Sequence, residues 1–198
     1  IFLVEYLPTS TEYCMKVISK DLCLDQKQTE NVILEKKLME SIKSQFIMEL
    51  VHVFKTDLKI YYIMPYYPGG DLYSHLQRER FDEERVRFYA AQICIALDQI
   101  HLNGYIYRDL KLENVLLDKQ GYITLTDFGI SKKLKFGEKT NSFCGTPEYI
   151  SPEIILGKGH NKSVDWWSLG ILIYEMLFGI PPFYDENTSR MYELICYA

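Results

Sequence analysis

The sequence predicts an α+β fold of two lobes, a small strand-rich one followed by a larger, mainly helical one, and three observations carry that reading. Short aromatic and β-branched runs dominate before residue 65, apolar residues recur at the helical period after it, and a Pro- and Gly-bearing connector over 65–70 separates the two textures. Taken in order, Phe2-Leu3-Val4, Tyr13 to Ile18 and Ile60 to Met64 have the composition of strands. Before the last of these, Leu38, Met39 and Ile42 share one face of a helix, and Glu35 lies on the same face. A carboxylate on an apolar face calls for a cation. Pro65-Tyr66-Tyr67-Pro68-Gly69-Gly70 reads as an irregular hinge. Beyond it, Val86, Tyr89, Ala90, Ile93, Leu97 and Ile100 recur at helical spacing behind Asp82, a natural N-cap, with Glu83 and Glu84 where the helix dipole favours acids. The chain thus divides into a small lobe over 1–64, a hinge over 65–70 and a large lobe over 71–198, with a ligand cleft expected between the lobes.

Composition narrows the function classes. A chain of 198 residues, 47% hydrophobic and 25% charged, is ordinary for a globular domain, and its net charge of -5 argues against a nucleic-acid partner. Cys14, Cys23, Cys94, Cys144 and Cys196 are odd in number and scattered, which suits reduced thiols in the cytosol or nucleus better than a disulfide framework or a zinc site. The most apolar stretch, Leu169 to Phe183, contains Glu175 and ends in Pro181-Pro182, too short and too polar for a membrane span.

The chemistry is densest in Tyr107-Arg108-Asp109-Leu110-Lys111-Leu112-Glu113-Asn114, followed by Thr126-Asp127-Phe128-Gly129. Either motif alone is weak; in this order, downstream of Tyr13-Cys14-Met15-Lys16, they are specific. Cys144-Gly145-Thr146-Pro147-Glu148-Tyr149 with Ser151-Pro152-Glu153, and Asp165-Trp166-Trp167 with Ser168-Leu169-Gly170, extend the pattern over nearly the whole chain. The sequence resembles the catalytic domain of eukaryotic serine/threonine protein kinases. Tyr107 before Arg108-Asp109, together with Asp165-Trp166-Trp167 and the segment Asn141 to Tyr149, is similar to the AGC group of that family, and Leu112 stands where the family usually has proline.

That resemblance implies a bilobal kinase fold, ATP and Mg²⁺ as cofactors, and a role for each motif residue. Lys16, steadied by Glu35, would bind the nucleotide's phosphates; Asp109 would orient the acceptor hydroxyl and take its proton; Lys111 would steady the transferring group; Asn114 and Asp127 would hold Mg²⁺. Ile1, Cys14, Met64, Pro65, Tyr67, Asp71, Glu113 and Leu116 would complete the nucleotide pocket, with backbone groups of Pro65 and Tyr67 meeting adenine. Phe128 and Tyr107 would stack with Met39 and Leu50 into a column linking the lobes, and His101 with Asp165 would support the catalytic loop. Ser142 is the expected regulatory phosphosite, the target of an upstream activating kinase, with Arg108 and Lys132 or Lys133 as its cations and Asn31 where some relatives carry histidine. Thr146 would help form the peptide site. Asp71, Glu113 and Glu175 would favour protein substrates with arginines upstream of the acceptor. Two other classes compete with a protein kinase: an inert or pseudokinase-like scaffold, and a small-molecule kinase of related fold. All of Lys16, Asp109, Asn114 and Asp127 are retained, against the first, and the Gly-Thr-Pro-Glu-Tyr segment shapes a peptide site, against the second. Aligned on the family, the glycine-rich loop falls before Ile1 and the last helices fall after Ala198, so a chain truncated at both ends is expected, with the arginine partner of Glu153 outside it.

Overall fold

The structure, a computed structural model, describes residues 1–23 and 25–198, except for the side chains of Leu22, Cys23 and Lys27. It begins with β1 (Phe2–Tyr6), β2 (Thr11–Ser19), α1 (Gln26–Ser41), β3 (His52–Lys55) and β4 (Lys59–Pro65), whose strands form one antiparallel sheet in the order β1-β2-β4-β3. Register pairs Cys14 with Met64 and Lys16 with Tyr62. Alternation along β2 then sends Cys14 and Lys16 to one face and Tyr13, Met15 and Val17 to the other. α1 presents Glu35, Leu38 and Met39 inward, with Ile42 just past its end, all buried, so the helix delivers a carboxylate into the core as its spacing predicts.

The remainder is mainly helical: α2 (Leu72–Leu76), α3 (Glu83–Leu102), β5 (Tyr105–Ile106), β6 (Val115–Leu117), β7 (Ile123–Leu125), β8 (Lys132–Lys133), α4 (Pro152–Ile155), α5 (Ser163–Phe178) and α6 (Thr188–Tyr197). α3 starts where its cap dictates, Asp82 accepting the Arg85 N–H at 2.8 Å, and buries Val86, Tyr89, Ile93, Leu97 and Ile100. α5 occupies the apolar stretch and stops before its prolines: Gly179 takes φ +84 and donates to Glu175 O at 2.7 Å, a left-handed end that glycine adopts without strain. Two short ribbons, β5 with β8 and β6 with β7, make the floor on which the loops rest.

Both parts share one hydrophobic core. The chain after α1 is tied to β7, Met48 donating to Leu125 O at 2.8 Å and Leu125 donating to Phe46 O at 2.9 Å. The hinge is tied to β6: Gly69 donates to Leu117 O at 3.1 Å, and a Cβ at Gly69 would stand 2.6 Å from that same oxygen, so only glycine allows this approach. Among the described residues, no helix is long and apolar enough to cross a membrane, and the thiols of Cys14, Cys94, Cys144 and Cys196 are free.

Candidate active site

Lys16 on β2 reaches two carboxylates on two other elements. Its Nζ donates to Glu35 Oε1 at 2.7 Å and to Asp127 Oδ1 at 3.2 Å. Burial opposes the ammonium, but the two carboxylates outweigh it and hold the Lys16 pKa above its ordinary value. For Glu35, burial pushes the carboxyl up and Lys16 only partly pulls it back. The pair is thus ionic at a desolvation cost, as expected of a site kept for function.

The loop between β5 and β6 carries the second group. Asp109 is held from three sides: Asn114 Nδ2 donates to its backbone oxygen at 2.8 Å and to Oδ2 at 3.0 Å, the Thr146 hydroxyl donates to Oδ1 at 2.9 Å, and Lys111 Nζ lies 3.4 Å from Oδ2. Lys111 also donates to Thr146 Oγ1 at 3.0 Å. Thr146, from the distant segment before α4, therefore locks the orientation of Asp109 against the lysine. The loop itself is anchored by Asp165 of α5, which is fully buried and accepts the Tyr107 N–H at 2.9 Å, the Arg108 N–H at 2.7 Å and His101 Nε2 at 2.7 Å. These bonds hold Arg108 at φ +69, and Asp127 stands at φ +57. Each left-handed non-glycine costs about 1–3 kcal/mol and persists only where surroundings enforce it. His101 and Asp165 are thus supports, as the sequence implies.

Tyr107 and Phe128 meet at a tilt of 54°, not stacked, with centroids 5.4 Å apart, in the same core as Met39 and Leu50. The Tyr107 hydroxyl donates to Thr126 O at 2.5 Å, tying the catalytic loop to the strand end that presents Asp127. Burial, reinforced by Asp109, Asp127 and Asp165, pushes this phenol well above its ordinary pKa and keeps it a donor.

Between the lobes lies a cleft of about 230 Å³ that brings together Ile1, Cys14, Lys16, Glu35, Met64, Pro65, Glu113, Asn114, Leu116 and Asp127. Its lining also includes Met39, Met48 and Thr126, none of them expected there. Thr126 adjoins a motif residue and could have been added from that; Met48 is placed by its backbone pairing with β7, which no local pattern reveals. Tyr67 and Asp71 do not line the cleft. The Tyr67 carbonyl accepts the Gly70 N–H at 3.3 Å, and the Asp71 carboxylate caps α2, accepting the Ser74 N–H at 2.7 Å and its hydroxyl at 3.0 Å. A five-residue helix depends on such a cap, so Asp71's carboxylate is committed to its own chain, although its backbone bridges Leu116 at the cleft edge.

The expected substrate acids separate by environment. Glu113 is exposed, whereas Glu175 is 7% exposed and accepts the Tyr149 hydroxyl. Burial, then the charges of Glu113 and Glu148, push the Glu175 carboxyl up against the relief given by Tyr149. At the activation segment, Arg108 Nη1 donates to Ser142 Oγ at 2.5 Å while Nε donates to Ile130 O at 2.8 Å. Lys132 Nζ donates to Thr140 Oγ1 at 2.8 Å, and that oxygen lies 3.3 Å from Ser142 Oγ. Lys133, the next residue of β8, sends its ammonium over the Tyr105 ring, 5.0 Å from the centroid, because alternation turns it the other way. Asn31 lines the same cavity as Ser142, and Glu153 accepts the Ser163 hydroxyl at 3.2 Å.

Residues 2–198 match the protein kinase domain family, and the chain belongs to it. It is 50% identical over 184 residues to Protein kinase 2 of Dictyostelium discoideum, covering 92% of this chain and 38% of that protein. Over 198 residues it is 44% identical to human serine/threonine-protein kinase Sgk1, covering 98% of this chain and 46% of that protein. With the cAMP-dependent protein kinase catalytic subunit of D. discoideum it shares 43% identity over 196 residues, 98% of this chain and 30% of that protein. The Sgk1 and cAMP-dependent kinase relatives are of the AGC group. The chain spans less than half the length of the curated relatives it matches.

Proposed function

We propose that this protein is a serine/threonine protein kinase, working with ATP and Mg²⁺, that prefers protein substrates carrying arginine upstream of the acceptor and is switched on by another kinase at Ser142. The observation that carries the reading is that Lys16, bonded to both Glu35 and Asp127, shares a cleft with Asn114, and that Asn114 is bonded to Asp109, which lies outside the cleft lining and is held from its other side by Thr146. Phosphoryl transfer asks for positioning and charge neutralisation rather than covalent chemistry, and these groups supply both.

Lys16, a fixed cation at the cleft wall, binds nucleotide phosphate. Asp109 accepts the acceptor hydroxyl's proton, its carboxylate aimed by Thr146 and Asn114. Lys111 offsets charge on the group in transit. The donor set also fits Mg²⁺: Asn114 spends its amide nitrogen on Asp109, which leaves its carbonyl oxygen for a hard cation, and Asp127 is half exposed with only one oxygen on Lys16. One carboxylate and one amide oxygen are the sort of partial shell Mg²⁺ takes when substrate phosphates complete it, and the bound ion neutralises those phosphates. The upstream-arginine preference is supported by Glu113 and Glu175, and the Ser142 switch by Arg108 and Lys132 around that hydroxyl. The scattered free thiols support work in the cytosol or nucleus.

The test is Mg-ATP-dependent transfer to an Arg-x-x-Ser peptide by the full-length protein and its Asp109→Asn variant. A fall of about 10²–10⁴-fold is expected, since the variant keeps the geometry but loses the base. Equal turnover in the two proteins would overturn the assignment.

A further inference from the structure

His160 is a buried side chain that the catalytic arrangement does not use. It is 3% exposed, and its Nε2 has no hydrogen-bond partner among the described residues. Its backbone forms an isolated antiparallel bridge with Thr140, donating to Thr140 O at 2.9 Å and accepting the Thr140 N–H at 3.0 Å. Directly opposed residues of such a bridge carry their side chains on the same face, about 5 Å apart. The His160 ring therefore stands beside the Thr140 hydroxyl, which is bonded to Lys132 and lies 3.3 Å from Ser142 Oγ.

The surroundings are unbalanced in charge. Arg108 and Lys132 make no ion pair among the described residues; they spend their donors on Ile130 O, Ser142 and Thr140. Two buried or half-buried cations with only neutral acceptors make a place that favours an anion. A cavity of about 490 Å³ is lined by Ser142 with Arg108, Lys132, Lys133 and Asn31 and by one acid, Glu30, so a phosphate on that hydroxyl has room. A buried imidazole beside two cations is held neutral with its nitrogen idle, whereas two cations and a dianion favour the protonated ring.

We infer that His160 is a proton-linked member of the Ser142 phosphate site: phosphorylation protonates the imidazole, which joins Arg108 and Lys132 as a third cation. This rests on the reading of Ser142 as the regulatory phosphosite. The groups that face His160 set the sign. In the unphosphorylated protein, burial and then the charge of Arg108 lower its pKa, against smaller raising effects of Glu153 on α4 and Asp165 on α5, with Lys132 adding the least on the lowering side. A lowered imidazole pKa means that stability falls as pH drops below the ordinary histidine range. Phosphoserine adds about -1.5 to -2 charges and reverses the balance, so the raised pKa gives stability that is present at low pH and lost as pH rises through it. The two forms then have opposite pH slopes across about pH 6–8.

The experiment uses the full-length protein, with phosphoserine installed at position 142 by genetic encoding so that no upstream kinase is needed, and ¹³C-labelled histidine. The His160 resonance is assigned by its loss in His160→Gln, or in His160→Asn if the first variant folds poorly, and titrated in both phosphorylation states. A rise of about one unit or more on phosphorylation is expected. An unchanged or lowered value overturns the inference. Activity measured on the same samples separates the two readings: phosphorylation that activates without moving the His160 pKa leaves the Ser142 switch standing and removes His160 from it. A raised pKa without activation does the reverse.

Discussion

Glu175 is an acid in a helix whose other buried positions are mostly apolar, and its one hydrogen bond, from the Tyr149 hydroxyl, does not repay its loss of water. Glu113 and Glu148 make the charge dearer still. The sign follows from the raised carboxyl: stability is present below the ordinary carboxylate range and is lost as pH rises through the folded pKa. Glu175→Gln keeps an oxygen for Tyr149 and removes the charge. It should therefore raise the melting temperature near pH 7 by about 2–4 °C, roughly 1 kcal/mol, with the advantage shrinking toward about pH 4.5. Thermal unfolding of both proteins at the two pH values decides the matter, and a variant less stable than wild type at pH 7 would show that the carboxylate is well satisfied after all. The same variant should lose the preference for an upstream arginine, because a guanidinium is the cation this acid lacks. Most of the site's chemistry was legible in the sequence at this scale, since Lys16, Asp109, Asn114 and Asp127 sit in short local motifs. The role of Asp71 was not, because a carboxylate three residues before a serine can serve a ligand or a cap, and only the five-residue helix behind it decides for the cap. The idle nitrogen of His160 was equally invisible, being set by a bridge between segments twenty residues apart.

Among the elements, those with their own periodicity or caps were predictable and those made by partners were not. α3 declares itself through Asp82 and a six-residue apolar series, and β2 and β4 through their composition. β3, β5 and β8 carry no such signal: β5 and β8 are two residues each and exist because Tyr105 pairs with Lys133 and Ile106 with Lys132. α6 rests on Met191 and Ile195 alone, too few positions to set a period, with Asn187 capping it. Two aspartates show how differently an element depends on one side chain. Asp82→Ala removes one exposed cap bond from a twenty-residue helix and should cost about 1 kcal/mol, with turnover at room temperature unchanged. Asp165→Ala strips two backbone N–H groups and His101 of their acceptor, at roughly 1–3 kcal/mol for each unsatisfied donor, and frees Arg108 from its left-handed conformation. Denaturant unfolding paired with peptide phosphorylation would check both. Comparable losses of activity in the two variants would contradict the division between a cap and a catalytic-loop anchor.

At the scale of the molecule, the cleft proposed for the nucleotide belongs to neither lobe alone. Ile1, Cys14 and Lys16 come from the sheet, Asn114, Leu116 and Asp127 from the large lobe, and the ion pair of Lys16 with Asp127 spans the gap. A ligand seated there contacts both parts and binds only the folded state, so it should stabilise the whole molecule in one transition rather than one lobe. At a hundred times its dissociation constant, Mg-ATP is expected to add about 2.7 kcal/mol, or roughly 5–10 °C for a domain of this size. Lys16→Met should abolish most of that shift, because it removes the cation on which the phosphates rest and leaves Glu35 buried without it. Asp109→Asn should keep the shift while losing transfer, since Asp109 is placed for the acceptor rather than the nucleotide. That pair of variants separates binding from chemistry: a thermal shift retained in Lys16→Met would place the nucleotide elsewhere. A shift lost in Asp109→Asn would mean that the catalytic loop and the cleft fold as one cooperative unit, through the bond from Asn114 to Asp109.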